Sequence, residues 1–383
     1  MERVSMKFDY NLRYYHFLLL FLVVLLNICG IFVVRSAANM DAAIVSRQIV
    51  GTLTGVCLCI VISFVSYKRL LKYANVIYLI GIIALVAVLL WGATHKGAGR
   101  WIVLPVIGQI QPAEFAKVSL ILFFASFFEK HEETLNQIPT LIRAVALFAL
   151  MALLIFAEPN LSTTIIVGVI FAGILFAAGL SYKWIGLAAA VIGIVTASFL
   201  YTFRTDLYKQ VPFIQEYQKD RILGFLNPDK YGNISLQQQN SIMAIGSGGR
   251  DGKGLNNTDI GSVKAGNFLI EEDTDFIFAI MGEELGFRGC VIIFALFITV
   301  IILVLRTGSK AGDTGGRLIC VGIATWLAFQ TFTNIAVATA LFPTTGVTLP
   351  FFSRGVSSLL SLYIGIGIVL NVSLQRKSMS KPY

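Results

Sequence analysis

Runs of about 20 apolar residues recur along almost the whole chain, and few architectures can accommodate that pattern. A hydrocarbon core about 30 Å thick is crossed by roughly 20 helical residues, and lipid offers no partner for backbone N–H and C=O groups. Each run is therefore expected as a helix. The runs lie near 15–34, 48–66, 73–92, 112–128, 142–157, 161–180, 184–203, 287–305, 317–341 and 350–374. With 56% hydrophobic and 13% charged residues among 383, an ordinary soluble protein is excluded. The expected fold is an all-α polytopic membrane protein, one domain over residues 1–383 with about ten transmembrane helices. The first run is too long for a signal-peptide core and lacks a small-residue cleavage site, so it is read as the first span.

Ten spans place both termini on one side, and the basic residues choose which. With the N-terminus inside, the cytoplasmic segments hold Arg3, Lys7, Arg13, Lys68, Arg69, Lys72, Lys130, Arg143, Lys183, Arg306, Lys310, Arg317, Arg376, Lys377 and Lys381. The short outside loops hold only Arg35, Arg47, Lys96 and Arg100. That asymmetry predicts a multi-pass protein with both termini cytoplasmic. The net charge of +9 then reflects retained loops and membrane lipids rather than a nucleic-acid partner. Five cysteines, all in apolar runs, and three scattered histidines suggest neither a disulfide framework nor a tightly held transition metal.

One connection is long. The polar, glycine-rich segment 204–274 between the seventh and eighth spans is expected outside, packed on the membrane face. The 30 residues from Phe276 to Leu305 would reach about 45 Å as one helix, too long for one straight span. Gly286 and Gly289 are natural breaks, so 275–285 is read as a half-helix at the outer interface and a site candidate.

Ionisable residues at membrane depth need a reason. Glu114 and Lys117 share a helical face, either as a structural ion pair or as the wall of a polar cavity. Glu158 reads as part of a short exposed turn, with Pro159 starting a helix and Asn160 or Ser162 able to cap it. Arg354 sits at the start of the last span, where it could snorkel or meet a phosphate. Glu271, Glu272, Asp273 and Asp275 read partly as helix-start charges.

The motifs resemble the SEDS proteins (shape, elongation, division and sporulation) of bacterial cell-wall synthesis, including RodA and FtsW. They are Arg47-Gln48, GRWI and IQPAEFAK between Gly99 and Lys117, EPNLSTT from Glu158, YQKDRILGFLNPD from Tyr217 and QQQNSIMAIGSGG from Gln237. They continue with GKGL from Gly252, TDFIFAIMGEELG from Thr274 and NIAVATALFPTTGVTLPFFSRGVSSLL from Asn334. The chain departs from the family at Asn160, where Asp is usual, and at Arg354-Gly355-Val356, where Tyr-Gly-Gly follows the serine.

The resemblance implies an inverting peptidoglycan glycosyltransferase that polymerises lipid II on the outer face of the membrane, partnered by a class B penicillin-binding protein. It implies no nucleotide cofactor, in keeping with a GSGGRDGKG run that lacks a P-loop's strand-to-helix context. An acceptor hydroxyl must lose a proton, and Asp275 is the candidate catalytic base. The departing pyrophosphate needs positive charge, from Arg47, Arg100, Lys117, Arg250 and Arg354 or from a divalent cation, Mg or Mn. Trp101 and Glu114 complete the candidate substrate-binding set. Rival readings are a lipid-linked precursor flippase, another multispan polymerase such as one for O-antigen, and a non-catalytic cell-wall scaffold.

Overall fold

The computed structural model describes residues 12–95, 98–104, 108–205, 216–227, 232–257, 262–264, 266, 268–269 and 271–375. Arg3, Lys7, Lys96, Arg376, Lys377 and Lys381, used in the orientation argument, lie outside the described residues, as do parts of the 204–274 loop.

The helices are α1 (Phe17–Ala37), α2 (Ala42–Ser63), the short α3 (Tyr67–Lys72), α4 (Ala74–Trp91), α5 (Pro112–Lys130), α6 (Ile138–Ala157) and α7 (Leu161–Ala177). They continue with α8 (Tyr182–Arg204), α9 (Glu216–Leu226), α10 (Gly232–Ser247), α11 (Ile277–Ser309), α12 (Thr314–Ala338) and α13 (Val356–Leu374). Eight of them are long and apolar enough to cross a membrane. Two more fall where spans were expected: α5, which carries Glu114, Lys117, Glu129 and Lys130, and α7, only 17 residues long. The molecule is an all-α polytopic membrane protein.

Several boundaries differ from the apolar runs because polar caps set them. α2 starts at Ala42 rather than 48, since the Asp41 carboxylate accepts the Ala43 N–H at 2.8 Å. α12 starts at Thr314, with Asp313 accepting the Gly316 N–H at 2.8 Å. α13 starts at Val356 rather than 350, because Phe351 takes a positive φ of 58° and the Arg354 N–H turns away to the carbonyl of Asp273. A small antiparallel sheet, not expected from the sequence, lies between α4 and α5: β1 (Ala93–His95), β2 (Ala98–Leu104) and β3 (Gly108–Ile110), in that order.

The core gathers on α5, α12 and α13. In α13, 83% of the apolar stretch is buried, against none in α8, whose side chains face outward as lipid-exposed ones would. Within 204–274, α9 and α10 replace an irregular connection, and α10 packs against α11.

The long eighth span does break, at Gly286 (φ 65°, ψ −171°); Gly289 stays helical. The glycine run after α10 closes on that break. A Cβ at Gly248 or Gly252 would collide with the carbonyl oxygens of Gly282 and Glu284, so glycine permits backbone to lie directly on backbone. Lys253 Nζ then meets Glu283 Oε1 at 2.7 Å, and Lys264 Nζ meets Glu284 Oε1 at 2.7 Å. The Val263 N–H adds a further bond to Glu283, at 2.9 Å. Glu283, Glu284 and Lys264 are all buried, and removing one member of a buried pair costs about 3–5 kcal/mol, so the loop is fastened to the kink.

Candidate active site

The segment before α11 does not continue the helix upstream to Asp275. The Glu271 carbonyl accepts the N–H groups of Thr274, Asp275 and Phe276, winding the chain into a turn, and α11 begins at Ile277. Asp275 thus precedes the half-helix instead of opening it. Its carbonyl is held by Asn334 Nδ2 of α12 at 3.0 Å, and the same amide reaches the Val347 carbonyl at 2.7 Å. Ser353 Oγ donates to the Thr274 carbonyl at 2.7 Å. The acidic turn is therefore built against the α12–α13 connection.

A cavity of about 210 Å³ opens at this turn. Its walls bring together Arg100 and Trp101 from β2, Glu114 and Lys117 from α5, Asp275, and Arg354. Six of the eight residues expected from the sequence meet here. Arg47 and Arg250 do not line it. Arg47 is exposed on the first turns of α2, and it is Gln48 that turns inward, its Nε2 donating to the Ser353 carbonyl at 3.2 Å. Arg250 is tied by its carbonyl to the Arg288 N–H at the kink, roughly 13 Å along the half-helix from the acidic turn.

At the cavity floor Lys117 Nζ donates to Glu114 Oε1 at 2.8 Å and to Gln330 Oε1 at 3.2 Å. It also stands 4.7 Å from the centre of the Trp326 ring. The Lys117 side chain is 1% exposed and that of Glu114 10%, so this is a desolvated pair and not a surface one. Gln330 links it onward, donating to the Thr348 carbonyl at 3.0 Å and accepting from Trp326 Nε1 at 2.6 Å.

The acids of 271–275 stand just before α11: none lies in its first turn and no side chain caps it. Asp273 Oδ2 meets Arg354 Nη1 at 2.9 Å. Burial raises the Asp273 carboxyl above its ordinary range, and the Arg354 guanidinium pulls it back. Glu271 Oε2 accepts from Thr274 Oγ1 at 3.0 Å. Glu272 is pushed up to about 7, by burial first and then by the neighbouring charge of Asp273.

Glu158 is the clearest departure from expectation: it is fully buried rather than an exposed turn residue. Neither of its carboxylate oxygens has a hydrogen-bond partner among the described residues, and burial pushes its pKa up to about 8, against the opposing pull of Arg100. The buried acid is tolerated by staying largely protonated at neutral pH. Arg100 fixes this corner, donating to the carbonyls of Glu158 (3.1 Å) and Pro159. Asn160 caps α7, its Oδ1 accepting the Thr163 N–H at 3.3 Å, and its side chain reaches the cavity.

Gln330 was not singled out in the sequence, since one Gln in an apolar helix reads as an ordinary helix–helix contact. Arg221 was inside a quoted motif without being placed. Its Nη1 donates to the Thr344 carbonyl at 3.4 Å. A Cβ built on Gly346 would stand 3.5 Å from Asp275 Oδ2 and 3.9 Å from Arg221 Nη1, so both groups flank Gly346.

Relatives match the chain over nearly their whole length. The chain is 34% identical over 367 residues to the peptidoglycan glycosyltransferase MrdB of Escherichia coli K12, covering 95% of this chain and 94% of that one. It is 33% identical to a probable peptidoglycan glycosyltransferase FtsW of Geobacter metallireducens, covering 98% and 99%. Among solved structures, one chain from work on polymerization and crosslinking by a peptidoglycan synthase complex superposes with a TM-score of 0.77 at 27% identity, covering 94% and 97%. The rod shape determining protein RodA of Thermus thermophilus gives 0.68 at 25% identity, covering 98% and 99%. Residues 11–378 match the sequence profile FTSW_RODA_SPOVE, described as cell cycle protein. The chain belongs to that family, the SEDS proteins its motifs resemble.

Proposed function

We propose that this protein is a peptidoglycan glycosyltransferase that polymerises lipid II on the outer face of the plasma membrane, with both termini cytoplasmic. The observation that carries the reading is the single cavity uniting Asp275 with Arg100, Lys117 and Arg354 beside a lipid-facing bundle. The names of full-length relatives at 33–34% identity support it.

In this reading Asp275 takes the proton from the acceptor sugar hydroxyl as it attacks the anomeric carbon of the donor. The oxygen–carbon bond forms as the bond to pyrophosphate breaks, and the configuration inverts. A positioned base contributes about a hundred- to ten-thousand-fold. Arg100 and Arg354 face the departing pyrophosphate and stabilise its charge, while Lys117, paired with Glu114, keeps the floor polar. Trp101 offers an aromatic face to a sugar ring. Among the described residues no three His, Cys, Asp or Glu side chains converge as a ligand set, so no step is assigned to a resident Mg or Mn ion.

A class B penicillin-binding protein is the partner this reading calls for, because nascent strands must be cross-linked by a second enzyme. The similar chain from a peptidoglycan synthase complex supports that pairing. The test is polymerisation of purified lipid II by the purified protein, with and without such a partner. Glycan strands are expected; a protein that moves lipid II across vesicles without polymerising it would instead be a flippase.

A further inference from the structure

A second cavity, of about 280 Å³, lies at the far end of α11 and α13 from the active site. Three cationic or basic side chains surround it: His16 just before α1, and Arg306 and Lys310 at the end of α11. Thr307 and Ser373, both buried, form its polar floor, and among the described residues no acid lines it. Among the described residues neither Arg306 nor Lys310 forms an ion pair.

Cations at a helix C-terminus are favourable on their own account, so Arg306 alone would call for no ligand. The arrangement goes further. Arg306 and Lys310, four residues apart, share a face and repel each other. His16 is brought in from another element, and both burial and the Lys310 charge hold its pKa below the ordinary value. Positive charge is thus concentrated over a recess rather than spread into water. On the same ends of α1 and α11, Phe17, Phe21, Ile302 and Leu305 are exposed apolar side chains.

We propose that this cavity binds the phosphodiester headgroup of an anionic phospholipid, with its acyl chains along the exposed side chains of α1 and α11. Basic recesses between transmembrane helices are suited to such headgroups. The apolar flank distinguishes a lipid from free phosphate, which has the same anionic chemistry but no tail. On the charge asymmetry of the loops, this is the cytoplasmic leaflet.

The test is native mass spectrometry of the full-length protein in mild detergent, titrated with phosphatidylglycerol or with phosphatidylcholine of the same chains. Wild type should retain phosphatidylglycerol selectively, and Arg306→Gln/Lys310→Gln should weaken it about thirty-fold. The exchange Arg306→Lys/Lys310→Arg should keep binding, as should Arg143→Gln/Lys183→Gln on the same expected side. If the double glutamine variant does not fold, the single variants decide, at about fivefold each. Unchanged affinity in the glutamine variants, equal retention of phosphatidylcholine, or displacement of the lipid by millimolar inorganic phosphate would overturn the proposal.

Discussion

Arg354 grips Asp273 twice: its guanidinium lies 2.9 Å from the carboxylate, and its N–H donates to the Asp273 carbonyl at 2.9 Å. This joins the threshold of α13 to the acidic turn that carries Asp275. Arg354→Gln keeps the main-chain bond and removes the charge pair. The guanidinium side chain is 37% exposed but its removal strands the buried Asp273 carboxylate, so the stability loss should be about 1–3 kcal/mol, while polymerisation falls at least tenfold. Asp273→Asn combined with Arg354→Gln should be less than additive in a thermal-melt cycle.

Lys117→Met tests the cavity floor. It strands the Glu114 carboxylate in a desolvated site, which should cost about 3–5 kcal/mol, read as a lowered melting temperature. Glu114→Gln/Lys117→Met should recover much of that stability and none of the activity. Recovery of both would make the pair purely structural.

Much of this architecture was legible in the apolar runs, because a spanning helix must write its length into composition. Gly286 could be read as a break for a similar reason: the run before and after it exceeds one bilayer. Residues whose meaning depends on distant partners were not legible. Glu158 sits between two spans like any turn acid, and only Arg100, 58 residues away, and the packing around it reveal that it is buried. Gln330 becomes part of the site only because Lys117, 213 residues earlier, faces it. Arg47 and Arg250 shared the sign and the expected side of the cavity cations, but sign and side do not fix where a side chain lies.

Glu272 predicts a pH dependence. Its pKa rises from 4.5 to about 7 on folding, so the native state binds the extra proton in that interval. Its contribution is present below about pH 4.5 and is lost as pH rises through 7. Glu272→Gln should therefore raise the melting temperature relative to wild type at pH 8 and change it little at pH 4.5. An equal difference at both values would contradict the assignment.

Orientation can be read by labelling with a membrane-impermeant thiol reagent in a background without native cysteines. A cysteine at Arg250, an exposed residue of the loop expected outside, should react in intact cells, and one at Lys310 should react only after permeabilisation.

The most direct measurement is the rate of lipid II polymerisation by purified Asp275→Asn beside Glu272→Gln, each with partner binding checked. Asparagine keeps the size and can still accept a hydrogen bond, but it takes no proton at neutral pH. The account predicts a loss of at least a hundredfold for Asp275→Asn and less than about fivefold for Glu272→Gln. Similar rates in the two variants would contradict it and turn the search for the base to Glu114.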